Sequence, residues 1–182
     1  MKRLAAISVL LSATVLAQDL DWVRQWERTQ RARPASIGSV GRIAPVSEPG
    51  TPLVVHGRVF KSDGVTPASG VVIFAYHTDR NGVYNVNGSR DWRLRGWAKS
   101  DEQGRFEFQT IRPASYPQGR TPAHIHLSID SASVPRRWTE EIQFADDPFL
   151  SDAHRRAAAE VSVRGPVQHV DFSIRIQEKG RF

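Results

Sequence analysis

Gly104-Arg105-Phe106-Glu107-Phe108-Gln109-Thr110 alternates apolar and polar side chains, with Phe106 and Phe108 on one side and Glu107 and Gln109 on the other. Successive strand residues point to opposite faces, so this period of two marks a strand with one buried face. Val170, Phe172, Ile174 and Ile176 alternate in the same way near the C-terminus. Leu53–Phe60 and Val71–His77 are rich in β-branched and aromatic residues, which also favours strands. The connections hold Ser62-Asp63-Gly64, Asn81-Gly82, Asn87-Gly88 and Gln103-Gly104, residues that tolerate positive φ. Only Ser151–Val161 in the second half has a helical pattern, with Ser151 or Asp152 as N-cap. Short strands with so few helices predict an all-β chain built as an antiparallel β-sandwich.

Upstream, Trp22 and Trp26 stand four apart within Asp19–Arg33, which places both on one face of a short helix. That face is available to its own domain or to a second copy in a homo-oligomer. Pro34–Pro52 is rich in Ser, Gly and Pro and reads as an extended arm. Residues 1–17 combine Lys2-Arg3, an apolar run and compact residues at Val15-Leu16-Ala17, the pattern of a cleaved signal peptide. The expected organisation is a leader over 1–17, a helix and arm over 18–52, and one sandwich domain over 53–182. Export to the periplasm or the medium follows from that leader.

Composition narrows the chemistry. The 182 residues contain no Cys, which excludes disulfides, thiolate metal sites and a thiol nucleophile. A net charge of +6, carried by scattered Arg, does not describe the concentrated basic face of a nucleic-acid binder. No apolar run reaches the roughly 18 residues of a membrane span.

In Arg120-Thr121-Pro122-Ala123-His124-Ile125-His126, the two His occupy one face of a strand and converge on a common point. Such a pair alone is a weak signal. The chain has only three tyrosines, however, and two of them lie at turns: Tyr84 after Asn81-Gly82-Val83, and Tyr116 just before the His-Ile-His strand. Together they offer two hard oxygens and two neutral nitrogens. A phenol with a free pKa near 10 ionises at neutral pH only beside a strong Lewis acid. Ferric iron fits that requirement, because two tyrosinates and one hydroxide cancel its charge. Zinc or magnesium would not ordinarily recruit two tyrosines.

Read in order, Gly57-Arg58-Val59, Asp79-Arg80-Asn81-Gly82-Val83-Tyr84, Arg95-Gly96, Ser100 to Phe108, Thr110-Ile111-Arg112-Pro113, Tyr116-Pro117, Pro122 to His126 and Phe144 to Pro148 form a series. On these motifs the chain resembles the intradiol ring-cleavage dioxygenases, the catechol and protocatechuate dioxygenase family. The resemblance runs from about Val54 to Pro148. It implies a β-sandwich, a non-haem Fe(III) held by Tyr84, Tyr116, His124 and His126, and an oxidoreductase of aromatic compound catabolism. The substrates implied are O2 and a small aromatic diol, opened between its adjacent hydroxyls to a muconate-type diacid. Tyr116 is assigned by analogy as the ligand that substrate displaces and as a base for a substrate proton.

Two positions depart from the family pattern. Arg120 is the candidate cation for stabilising negative charge on the ring, but it stands four residues before His124 where better-known members place an Arg three before. Glu141 occupies a position near the substrate where the family commonly carries Gln. These departures keep alive a catalytically altered sandwich that binds an aromatic or sugar ligand. Gly119, the His pair and Asp130 also resemble one cupin motif, a reading that requires a further His from elsewhere. Tyr76 is read as core, Trp92 and Trp97 as packed against the sandwich, and Asp146-Asp147-Pro148 as a turn and cap. His56, His77, His154 and His169 show no ligand-spaced partner and are read as structural.

Overall fold

The computed structural model describes residues 22–85 and 92–177. The leader over 1–17 and the Asn87-Gly88 turn lie outside these residues. Within them a helix, α1, covers residues 22–31. It is followed by β1 (Val40–Arg42), β2 (Pro52–Phe60), β3 (Val72–His77), β4 (Arg95–Lys99), β5 (Arg105–Ile111), β6 (His124–Asp130), β7 (Arg137–Trp138), β8 (Ile142–Gln143), the short helix α2 (Asp152–Arg155), β9 (Val161–Arg164) and β10 (Val167–Arg175).

The strands form two sheets. One has the order β1-β5-β2-β10-β9, and the other runs β4-β3-β6-β7 with β8 also paired to β6. The period of two in β5 buries Phe106 and Phe108 against the opposite sheet, while Arg105 faces water. Leu53, Val55 and Val59 of β2, Val170 and Ile174 of β10, and Ile125, Leu127 and Ile129 of β6 complete this core. Side chains from two inner faces interlock here as in other β-sandwiches.

Three features go beyond the sequence expectation. Antiparallel pairing holds throughout the second sheet, whereas the first contains two parallel pairs, β1 with β5 and β2 with β10. β1 and β2 lie on either side of β5, β1 parallel and β2 antiparallel to it, so the chain reverses between β1 and β2. The arm is therefore built into the sandwich through β1, with Ile43 and Ala44 buried beyond it. Finally, the helix expected over Ser151–Val161 stops after one turn. Ser151 caps it by accepting a hydrogen bond from His154 N. The alanine run is then captured by sheet-like bonds, Ala159 N to Gln143 O at 2.8 Å and Ala145 N to Ala159 O at 2.9 Å. Tertiary pairing here overrides local helix propensity.

β3 is buried at all six positions because its outer face is also covered. Trp26 of α1 meets Phe74 edge-on at 5.3 Å and packs on Trp92 and Trp138. The Trp22/Trp26 face thus finds its partners within its own domain. At the end of β3, His77 is fully buried and structural: Nδ1 lies 2.6 Å from the Thr78 carbonyl and Nε2 2.6 Å from Thr110 Oγ1. The carbonyl can only accept, so Nδ1 carries the proton and Nε2 accepts from the Thr110 hydroxyl. Burial pushes the His77 pKa down to about 4, keeping the ring neutral. Among the described residues, no helix is long and apolar enough to cross a membrane.

Candidate metal centre

Three separate backbone devices aim side chains at one rim of the sandwich. The first is the turn after β3. Buried Asp79 accepts hydrogen bonds through Oδ1 from Asn81 N at 2.8 Å and Val83 N at 3.1 Å. Its Oδ2 takes Arg93 Nη2 at 3.2 Å, and Arg93 also pairs with Glu48. The clamp fixes the turn that presents Tyr84. Gly82 adopts φ +78°, and a Cβ there would stand 2.0 Å from Ser115 O. Only glycine lets this turn lie against the loop that carries Tyr116. The second device is that loop, tied to the end of β3 by Ala114 N to Asp79 O at 3.1 Å and Thr78 Oγ1 to Ala114 O at 2.7 Å.

The third is the start of β6. Buried Asp147 accepts from Ala123 N at 2.9 Å and from Phe149 N at 2.8 Å. The Asp-Asp-Pro run is therefore a turn and cap, with Asp146 paired to Arg112 at 2.6 Å. Tyr76 faces His126 across the strand pair and stacks on its ring at 4.6 Å, with Trp92 behind it at 3.9 Å. Tyr76 is core, as its sequence context predicts, and it also buttresses His126.

All four predicted donors meet. Tyr84 Oη lies 2.6 Å from Tyr116 Oη and 2.8 Å from His126 Nε2. Tyr116 Oη is 3.1 Å from His124 Nε2, and the two Nε2 atoms are 3.0 Å apart. Donors on one ion with bonds of about 2.0–2.1 Å sit roughly 2.8–3.4 Å from one another, so the spacing suits a shared cation.

Proton accounting leads to the same place. His124 Nδ1 is 2.7 Å from the Pro122 carbonyl, and His126 Nδ1 is 2.7 Å from Glu141 Oε1. The hydrogen bond from His126 holds the Glu141 carboxyl below its ordinary range, so it is ionised at neutral pH and accepts. Both Nδ1 atoms therefore carry protons, and Nε2 is the ring nitrogen that each presents to the tyrosines. Four close contacts join these atoms. A cation at their centre satisfies all four donors at once. Burial, joined by the Tyr116 hydrogen bond, raises the Tyr84 phenol, and burial raises that of Tyr116. Ionising either one takes a strong local positive charge.

The remaining candidates fall elsewhere. Arg120 is exposed, its guanidinium carbon 5.6 Å from the Phe149 ring centroid, and among the described residues no hydrogen bond joins it to the four donors. Glu141 sits behind His126 on the Nδ1 side. A cupin-like third His is not supplied: His154 pairs with Ser151 at 3.1 Å, and His169 meets His56 at 3.0 Å. That last contact corrects the reading of both rings as unpartnered, since β2 and β10 bring together residues 113 positions apart. Asp147 fills the turn-and-cap role that its run predicts, whereas Asp79 and Arg93 also hold the site and were given no role from sequence, although Asp79-x-Asn81-Gly82 has the form of an Asx-turn.

The chain is thus a β-sandwich with two tyrosines and two histidines gathered at its rim. Residues 35–179 match the family model Dioxygenase_C, described as dioxygenase. The chain belongs to the intradiol ring-cleavage dioxygenase family. It is 33% identical over 129 residues to catechol 1,2-dioxygenase 1 of Acinetobacter lwoffii, a match covering 60% of this chain and 41% of that one. It is 31% identical over 159 residues to catechol 1,2-dioxygenase of Acinetobacter baylyi, covering 76% and 50% respectively. The chain thus spans about half the length of the curated relatives it matches. Among solved structures, the dioxygenase domain of a dioxygenase carbohydrate-binding protein fusion from Streptomyces sp. SirexAA-E shares 26% identity at TM-score 0.62, covering 75% of this chain and 86% of that one. Catechol 1,2-dioxygenase from Pseudomonas arvilla C-1 shares the fold at 21% identity and TM-score 0.61, covering 88% and 68%.

Proposed function

We propose that this chain is an exported intradiol dioxygenase that uses O2 to open a catechol-type diol to a muconate-type diacid, with Fe(III) held by Tyr84, Tyr116, His124 and His126. The observation that carries the reading is the convergence of these four donors with both imidazole Nδ1 atoms already tied off. The relatives named as catechol 1,2-dioxygenases support the substrate class. Bound there, ferric iron would act as a Lewis acid that draws electron density from the chelated diol and opens a ring carbon to O2.

The chain's own residues then divide the work. Tyr84, clamped by the Asp79 turn, is the fixed oxygen donor. Tyr116 is followed by the exposed run 117–121, and its Oη is the base that takes a proton from the incoming diol. Glu141 orients His126, so its charge is engaged by the imidazole instead of opposing the substrate. Glu141→Ala, which leaves His126 Nδ1 without its acceptor, is expected to weaken iron binding by about 10- to 100-fold, measured by competition with a chelator.

The test is to load the full chain with ferric iron and add catechol. Tyrosinate-to-iron charge transfer is expected to colour the protein burgundy, and ultraviolet absorbance of a muconate-type product is expected to grow. A colourless protein would overturn the ligand set. The position of Arg120 over Phe149 favours a second reading, an aromatic-binding sandwich without turnover, and colour without product would select it. Export is tested on secreted material, whose first residue is expected to be Gln18.

A further inference from the structure

A second cluster of metal-ligating side chains lies on the outer face of the other sheet, away from the tyrosines. On β2, His56 stands in register between Glu107 of β5 and Asp171 of β10. His169 lies two residues before Asp171 on the same face of β10. His56 Nε2 and His169 Nδ1 are 3.0 Å apart. The two rings are coplanar to within 4°, with centroids 5.3 Å apart. That separation is the N···N distance plus the two ring radii, so the nitrogens meet head-on, one ring donating its N–H to the lone pair of the other. On the far side, His56 Nδ1 is 3.5 Å from Glu107 Oε2, an arrangement that turns a lone pair on Nε2 toward His169.

We propose that His56 and His169 form a second transition-metal site, for a borderline divalent ion of the Cu²⁺ or Zn²⁺ type. Imidazole is the natural ligand for these ions, and Cu²⁺ tops their affinity order. Two nitrogens about 3 Å apart have the separation of neighbouring ligands on one ion with bonds of about 2.0 Å. Both rings are half-buried and need only turn so that their nitrogens aim at the ion instead of at each other. The backbone needs no adjustment, because β2 and β10 pair continuously from Leu53 to Phe60. Beside the pair is an open cavity of about 470 Å³, with His56, Glu107 and Asp171 in its wall. It gives room for the ion and its waters beside two carboxylates. The cations on its rim are engaged, Arg105 with Asp101 at 3.1 Å and Arg58 with the Gln103 carbonyl at 3.0 Å. The ion would cross-link β2 to β10, with Glu107 of β5 holding His56 in place.

The site is tested by titrating the full chain with Cu²⁺, read by calorimetry and by electron paramagnetic resonance, with Zn²⁺ in competition. In the His126→Ala background, which leaves the tyrosine–histidine centre a single ring nitrogen, one equivalent with two coordinated ring nitrogens is expected. His56→Gln and His169→Gln, which retain polar side chains without a ring nitrogen, are each expected to weaken that equivalent at least tenfold. That background separates this site from the tyrosine–histidine centre whether or not iron loads there. Melting of the two Gln variants without metal shows whether the fold is kept. Cu²⁺ binding of unchanged stoichiometry and affinity in both folded variants would overturn the proposal, as would the absence of a two-nitrogen signal in the His126→Ala parent.

Discussion

Tyr84→Phe and His126→Ala are each expected to leave the purified, iron-treated chain colourless and inactive toward catechol. Tyr84 Oη touches both Tyr116 Oη and His126 Nε2, so its loss removes one of two phenolate charges and opens the middle of the donor set. A trivalent ion would then face one anionic ligand in a site where burial disfavours uncompensated charge. His126→Ala removes a ligand nitrogen and strips Glu141 Oε1 of the partner 2.7 Å away that lowers its pKa. Removing only an orienting partner of a metal ligand costs about 10- to 100-fold in affinity, so removing the ligand itself should cost more. Tyr76→Phe is the matched control. It keeps the ring stacked between His126 and Trp92, and it is expected to retain iron and colour. Iron stoichiometry, the visible band and product absorbance are the three measurements. Full iron and turnover in either Tyr84→Phe or His126→Ala would show that the ligands have been wrongly assigned.

The residues that were legible in the sequence are those whose information is local. Phe106 and Phe108 announce β5 by alternation, and His124 and His126 share a face because they are two apart on a strand. Tyr84 and Tyr116 could be matched to the family's motifs, but only the fold shows how they meet. The tight contact of Gly82 with Ser115 O depends on the Tyr116 loop, 32 residues from Tyr84 in sequence, pressing against the Tyr84 turn. Pairing between distant strands was beyond reach for the same reason. Nothing near His56 or His169 announces that a parallel β2–β10 pair places one ring against the other. Ser151–Val161 failed in the opposite sense: its local pattern is helical, and backbone bonds from Gln143 and Ala145 to Ala159 outweigh it. Likewise the continuous burial of β3 comes from α1 and Trp92 lying over its outer face.

Gly82→Ala tests whether the close approach of the two tyrosine loops builds the centre, and Gly70→Ala is its internal control. Both glycines have positive φ, +78° and +75°, so an alanine at either costs roughly 1–2 kcal/mol in backbone strain. For a chain of this size that corresponds to about 2–4 °C in Tm per kcal/mol. Their surroundings differ. A Cβ on Gly70 meets nothing within 4 Å, whereas one on Gly82 meets Ser115 O at 2.0 Å and Pro117 Cδ at 3.1 Å. Backbone oxygen cannot rotate away as a flexible side-chain end can, so the Tyr84 turn and the Tyr116 loop must separate. The four donors lie within 2.6–3.1 Å contacts, and a displacement of about 1 Å is enough to cost on the order of 100-fold at a reacting site. Gly70→Ala is expected to lower Tm by a few degrees with colour and iron content intact. Gly82→Ala is expected to lower Tm further and to lose the charge-transfer band and most of the bound iron. An unchanged band in Gly82→Ala, at the same Tm as Gly70→Ala, would mean that the tyrosines are brought together by Asp79 and Thr78 alone and that the glycine serves only the turn.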